Sequence, residues 1–286
     1  MTVAHLNGIE INYEVRGGGT PLVLAHGYTA SLEMWRDQVA PLSEKYRLVI
    51  YDTRGHGKTT APESTDGYGL ATDYVADQIA LMDHLGIEEA HVGGLSMGGM
   101  IAQEFALQHP RRVKALLLLD TGPGGGFGAD PTAQARMTQF REVLRTVAKT
   151  KGISAIIDMM RESPMAVGPL RKTPLPAAVQ RHIDGMREMS VDGYLGGAQA
   201  MQGWAGTIGR LHAIMAPTLV LVGESDNLLA ASRAIHGQIA GSRFVMLRNC
   251  MHGSNLWRPD AFLRAVLEFL ADVDAGRPVA GAVTID

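Results

Sequence analysis

Gly94-Leu95-Ser96-Met97-Gly98, with Gly99 directly after it, is the stretch whose reading decides the fold. The apolar run His91–Leu95 before it predicts a strand, and Met97–Gln108 after it predicts a helix. A serine held in so sharp a strand-to-helix turn has a strained backbone and an exposed Oγ. The residues two places either side must then have little or no side chain, a need that Gly94 and Gly98 meet. The helix that follows begins with free N–H groups suited to developing negative charge. The pattern alone arises easily in a chain with 34 glycines; the strand before and the helix after turn it into a nucleophile site.

Working outward, short β-branched or apolar runs alternate with longer amphipathic ones. Strands are expected at Ile9–Val15, Leu22–Ala25, Arg47–Tyr51, His91–Leu95, Ala115–Leu119, Thr218–Val222 and Arg243–Leu247. Several are apolar almost throughout, as strands buried on both faces of a parallel sheet must be. Helices are expected at Ser31–Ser43, Ala71–Leu85, Met97–Gln108, Ser232–Ile239 and Pro259–Leu270. This alternation implies an α/β domain. It breaks after Thr121, where Gly122-Pro123-Gly124-Gly125-Gly126-Phe127-Gly128 reads as a hinge. A methionine-rich helical stretch follows, holding Met137, Met159, Met160, Met165, Met186, Met189, Met201 and Trp204. Residues 1–122 and 211–286 therefore form the expected core, and residues 123–210 a helical cap inserted into it.

The bulk numbers narrow the partners. The chain has 286 residues, 46% hydrophobic and 19% charged, with a net charge of −3, so no strong field favours nucleic acid or an anionic membrane. The short basic patch Arg111-Arg112-Val113-Lys114 reads as a solvated turn. A single cysteine, Cys250, excludes an internal disulfide and fits a reducing compartment. The N-terminus lacks the look of a signal peptide and no stretch is apolar enough to span a bilayer, so the cytoplasm is the expected location.

A serine hydroxyl needs a base. Of ten histidines, His252 lies in a loop after the strand Arg243–Leu247, at the sheet edge where sites of open α/β sheets gather. His84, His109, His182 and His236 fall on or beside helices and read as surface or packing residues. Asp226, after Thr218–Val222, is the expected orienting acid, with Glu224 two residues away and Asp120, just after Ala115–Leu119, as rivals. The backbone N–H groups of Tyr28 and Met97 are expected to form an oxyanion hole, with His26 bracing the Tyr28 loop. Asp52-Thr53-Arg54-Gly55-His56-Gly57-Lys58-Thr59 reads as a structural turn, since it is neither a P-loop nor spaced for a metal. Cys250 reads as packing. An apolar pocket walled by cap methionines such as Met160, with Trp204 and Leu228, is expected above the serine, and no metal or organic cofactor is called for.

Taken in order, His26-Gly27, Asp52–Gly57, Gly94–Gly99, Gly223-Glu224-Ser225-Asp226 and His252 resemble the α/β-hydrolase fold superfamily over Gly8 to Leu270. The resemblance implies a mostly parallel eight-stranded sheet with a helical lid after the sixth strand, and a triad in the chain order Ser, Asp, His. Gly94–Gln103 and Leu116–Thr121 are similar to bacterial carboxylesterases and 3-oxoadipate enol-lactonase-like hydrolases. Haloalkane dehalogenases and epoxide hydrolases of this fold carry Asp where Ser96 stands. The expected substrate is thus a small ester or lactone. Acyl transfer to an alcohol or peroxide, carbon–carbon bond hydrolysis and a ligand receptor are the alternatives. The carbon–carbon reaction would want cap cations on a substrate carboxylate, for which Arg136, Arg141, Arg145, Arg171, Lys172, Arg181 and Arg187 are candidates.

Overall fold

The computed structural model describes residues 2–125, 131–162 and 174–286. Gly126 to Gly128 of the expected hinge, Met165, Arg171 and Lys172 lie outside that description, as does the side chain of Met137. Among the described residues, nine strands form one sheet: β1 (Thr2–Leu6), β2 (Ile9–Arg16), β3 (Pro21–Ala25), β4 (Arg47–Tyr51), β5 (Ala90–Leu95), β6 (Val113–Leu119), β7 (Thr218–Gly223), β8 (Arg243–Leu247) and β9 (Gly281–Ile285). Their spatial order is β1-β2-β4-β3-β5-β6-β7-β8-β9. β2 pairs antiparallel with both β1 and β4, and every other pairing is parallel.

Nine strands correct the eight that the resemblance implies. The additional one, β9, lies beyond Leu270 and pairs with β8 from Arg243↔Gly281 to Leu247↔Ile285. Its residues are nearly all exposed, so backbone hydrogen bonds rather than apolar burial hold it. β1 is likewise absent from the strands read in the sequence. It is joined to β2 by Asn7-Gly8, both at positive φ (52° and 76°), as a tight two-residue hairpin requires.

The inner parallel strands β3 to β8 are mostly apolar because both faces are covered. Alternate residues of one strand enter different cores. Val23, Ala25, Leu116, Leu118, Val220 and Val222 pack on one face, with Ile101 and Phe105 of α3 (Met97–Gln108). Leu22, Leu24, Leu117, Leu119, Leu219 and Leu221 pack on the other, with Phe262 and Phe269 of the C-terminal helix Pro259–Asp274. Burying that much apolar surface is the main drive to this architecture.

Between β6 and β7 the described chain is helical: Pro131–Glu162, Ala177–Arg187 and Val191–Gly203. Gly152, at φ 79° and ψ 177°, breaks the first of these into two. Ile153, Ile156, Ile157, Val179 and Ile183 form a small core of their own, closed below by Leu256. The third helix sits very close to the body of the sheet. A side chain on Gly193 would strike the Gly55 carbonyl, and one on Gly196 would strike the Tyr68 ring. No helix of the described residues is long and apolar enough to cross a membrane.

Candidate active site

The groups singled out in the sequence come together where the parallel strands β3, β5, β7 and β8 end. Ser96 follows β5 with φ 55° and ψ −113°, a backbone conformation that L side chains rarely adopt. Three contacts hold it there: Ser96 N–H donates to Leu119 O at 2.9 Å, and its carbonyl accepts from Met100 N–H at 3.1 Å and Thr121 Oγ1 at 2.7 Å. The glycines around it are demanded by close approach. A side chain on Gly94 would collide with the Gly98 backbone, and one on Gly98 with the Ala25 carbonyl. The turn can be this tight only without them.

β7 runs into a turn in which Asp226 N–H donates to Gly223 O at 3.1 Å. The Asp226 side chain, 1% exposed, accepts a 2.8 Å hydrogen bond from His252 Nδ1, whose ring remains 46% exposed. That bond commits Nδ1 as the donor and leaves Nε2 free to take a proton. Burial pushes the imidazole down, but the Asp226 hydrogen bond, the Asp226 charge and the more distant Asp120 charge together carry it above the ordinary histidine value. Glu224, one rival acid, instead accepts from Asn249 N–H at 3.1 Å.

Asp120, the other rival, is fully buried at the end of β6. Its Oδ1 accepts from Gly223 N–H at 3.2 Å, and its Oδ2 from Gly253 and Ser254 N–H at 3.1 and 2.7 Å. It therefore ties the Asp226 turn to the His252 loop rather than touching the imidazole. Burial, the dominant influence, raises its carboxyl to about 6.

The loop after β3 passes against the serine: a Cβ on Gly27 would lie 3.4 Å from that of Ser96. Neither Tyr28 N–H nor Met97 N–H, the first of α3, donates to the backbone of another described residue. His26, fully buried, accepts from Thr53 N–H at Nε2 (3.0 Å) and donates from Nδ1 to Gly27 O (2.8 Å). Burial pushes it down to about 4, so it stays neutral and serves as a strut between two loops. The Tyr28 phenol donates to Tyr194 O at 2.6 Å, joining this loop to the helix Val191–Gly203.

A cavity of about 270 Å³ opens above Ser96, Asp226 and His252. Met160, Val179, Ile183 and Met186 line it from the helices after β6, and Leu95, Leu256 and Trp257 from the body of the protein. Two expected wall residues lie elsewhere. Trp204 is buried in the core, where its indole N–H donates to Glu104 Oε1 at 2.8 Å, because an indole taken out of water needs an acceptor. Leu228 is not among the lining residues; its N–H donates to Asp226 Oδ1 at 2.8 Å and closes the acid's turn. His182, expected as surface or packing, lines the cavity. A signal existed: Val179, His182, Ile183 and Met186 share one face of a helix.

The remaining candidates are structural. Asp52 accepts from Leu32 N–H, Lys58 N–H and Asn12 Nδ2 at 2.7, 2.9 and 2.7 Å, and Arg54 grips Asp77 through Nε and Nη2 at 2.7 and 2.8 Å. Cys250 is buried, and that burial lifts its thiol to about 12. Among the described residues, no group of three or more His, Cys, Asp or Glu is placed to hold a metal ion.

The chain is similar in sequence and fold to known proteins. The 3-oxoadipate enol-lactonase 2 of Acinetobacter baylyi is 28% identical over 262 residues, 90% of this chain and 92% of that protein. The solved enol-lactonase from Burkholderia xenovorans is 30% identical, with a TM-score of 0.80 over 94% of this chain and all of that one. A thermophilic esterase from Thermogutta terrifontis is 25% identical, with a TM-score of 0.82 over 95% and 98% of the two chains. The family model for the alpha/beta hydrolase fold matches residues 20–259, and the chain belongs to that family.

Proposed function

We propose that the protein is a serine hydrolase that cleaves carboxylic esters or lactones through an acyl-enzyme. The observation that carries this reading is the convergence of Ser96, held at positive φ, with the hydrogen-bonded pair Asp226–His252 on one apolar cavity. The esterase and enol-lactonase relatives support the bond type.

In this mechanism His252 Nε2 takes the Ser96 proton as Oγ attacks the carbonyl carbon. The tetrahedral oxyanion rests on the N–H groups of Tyr28 and Met97. His252 then gives its proton to the leaving alkoxide, and water repeats the sequence to release the acid and restore Ser96. Asp226 fixes the imidazole tautomer through its hydrogen bond to Nδ1 and stabilises the imidazole cation. Residues 123–210 act as the cap that shapes the pocket and excludes bulk water.

The charges around the cavity favour uncharged substrates. None of the described residues lining it is Lys or Arg. Arg181 pairs with Asp37 at 2.5 Å, Arg187 with Asp158 at 2.6 Å and Arg145 with Glu142 at 3.8 Å, while Arg136 and Arg141 are exposed. A substrate carboxylate, as the carbon–carbon bond reaction would bring, finds no Lys or Arg among the described lining residues.

An ester-and-lactone panel run on wild type and Ser96→Ala tests the reading. Loss of a serine nucleophile of this kind costs on the order of 10⁶-fold in turnover. Retention of more than a few per cent of turnover by folded Ser96→Ala overturns it.

A further inference from the structure

Among the polar side chains lining the cavity, His182 stands in its apolar wall and has no task in the proposed mechanism. His182 lies on the helix Ala177–Arg187, which is pinned to the body of the protein through Arg181 and Asp37. Its apolar neighbours on that face, Val179, Ile183 and Met186, line the same cavity as Ser96 and His252. A histidine among them has been taken largely out of water, and its ring makes no hydrogen bond to another described residue. An imidazole in such surroundings needs a partner, and the cavity is where one would come from.

Burial, and then repulsion from His252, push His182 down to about 4. It is therefore neutral at physiological pH, with one ring N–H to donate and one ring nitrogen to accept. It shares the cavity wall with His252 and with Gly27 and Tyr28 of the loop after β3. It is unsuited to be a second base. Among the described residues no carboxylate pairs with it as Asp226 pairs with His252, so none of them would stabilise its cation.

Resting on the ester-hydrolase reading, we propose that His182 is a specificity-determining residue that hydrogen-bonds an uncharged polar group, a hydroxyl or a ketone, on the acyl or alcohol part of the substrate. The substrate class is thus narrowed to oxo- or hydroxy-substituted esters and lactones, in preference to plain alkyl esters of equal length. A site built to pair a polar group discriminates against analogues lacking it, since its own group is then left unpaired.

The test compares two matched pairs, phenyl 4-oxopentanoate against phenyl pentanoate and 2-hydroxyethyl butanoate against propyl butanoate. Each is run on wild type, His182→Phe (size without hydrogen bonds) and His182→Asn (a donor and an acceptor restored). Wild type should favour the polar member of at least one pair. His182→Phe should cut that preference about 10-fold, chiefly through KM, and His182→Asn should hold it within about 3-fold. Far-UV circular dichroism and a thermal melt matching wild type certify that both variants are folded. The inference is overturned if no pair shows a preference that His182→Phe reduces, or if Phe and Asn reduce it alike. Failure of the hydrolase reading looks different: Ser96→Ala would then retain turnover on all four esters.

Discussion

Asp226 receives the His252 Nδ1 hydrogen at 2.8 Å, while Asp120 holds the next two backbone N–H groups of the same loop at 3.1 and 2.7 Å. Two carboxylates thus divide one task. Asp226 sets the tautomer and charge of the imidazole, and Asp120 fixes the loop that carries it. The imidazole is lifted above its ordinary value by both, against the opposing pull of burial.

That division predicts the behaviour of Asp226→Asn. His252 must be neutral to act as a base, so activity falls as pH drops through its pKa, and in wild type that limb lies above the ordinary value of about 6.5. Asparagine removes the negative charge that stabilises the imidazolium, so the limb should move to lower pH. Turnover at pH 7 should fall by about 10⁴, because the amide can also turn its N–H₂ toward the ring and select the wrong tautomer. A kcat/KM profile from pH 5 to 9 on both proteins decides it. An acid limb that does not move means that Asp226 does not set the His252 charge.

The strands and the convergence at their C-terminal ends were legible for one physical reason. Burial on both faces makes parallel strands continuous apolar runs, and their ends are fixed by polar or glycine residues such as Asp120, Gly223 and Ser96. β9 was not legible because an exposed edge strand, held by backbone hydrogen bonds alone, leaves little mark on the pattern. β1 did leave one, the Asn7-Gly8 hairpin turn, although its strand alternates too weakly to stand out. Trp204 reads as a wall in the sequence because a cap aromatic near a cleft suits that role. Its partner Glu104 lies on another element 100 positions away, and nothing local announces that pairing. His182 shares a helix face with Val179, Ile183 and Met186, but only the folded chain brings that face to the cavity of Ser96 and His252.

His26 offers a second prediction. Its two ring nitrogens bridge Gly27 O and Thr53 N–H, so it holds the loop whose Tyr28 N–H is the proposed oxyanion donor. His26→Phe keeps the ring volume, orphans the buried Thr53 N–H and leaves Gly27 O with its bond from Ala30 N–H, which should destabilise the protein by about 1–3 kcal/mol. It should also lower kcat by about 10- to 100-fold with little change in KM, since an oxyanion donor acts in the transition state. Urea denaturation and steady-state kinetics measure the two effects. A stability loss with full kcat would make His26 a core residue only.

Ser96 carries the last prediction, because its strained backbone is a cost that catalysis, not folding, requires. At φ 55° and ψ −113° a residue with a Cβ is disfavoured by roughly 1–3 kcal/mol, whereas glycine occupies positive φ freely. Ser96→Gly should therefore abolish turnover and yet stabilise the fold. Against the strain relieved stands the added freedom of glycine in the unfolded chain, about 0.4–1 kcal/mol, so a net gain of about 1 kcal/mol is expected. Ser96→Ala loses the same hydroxyl but keeps its Cβ in the strained turn, and should show no such gain. Thermal melts of the two inactive variants side by side separate these contributions. If Ser96→Gly melts no higher than Ser96→Ala, the turn is shaped without strain, and the two glycines flanking it bear the whole cost of exposing the serine.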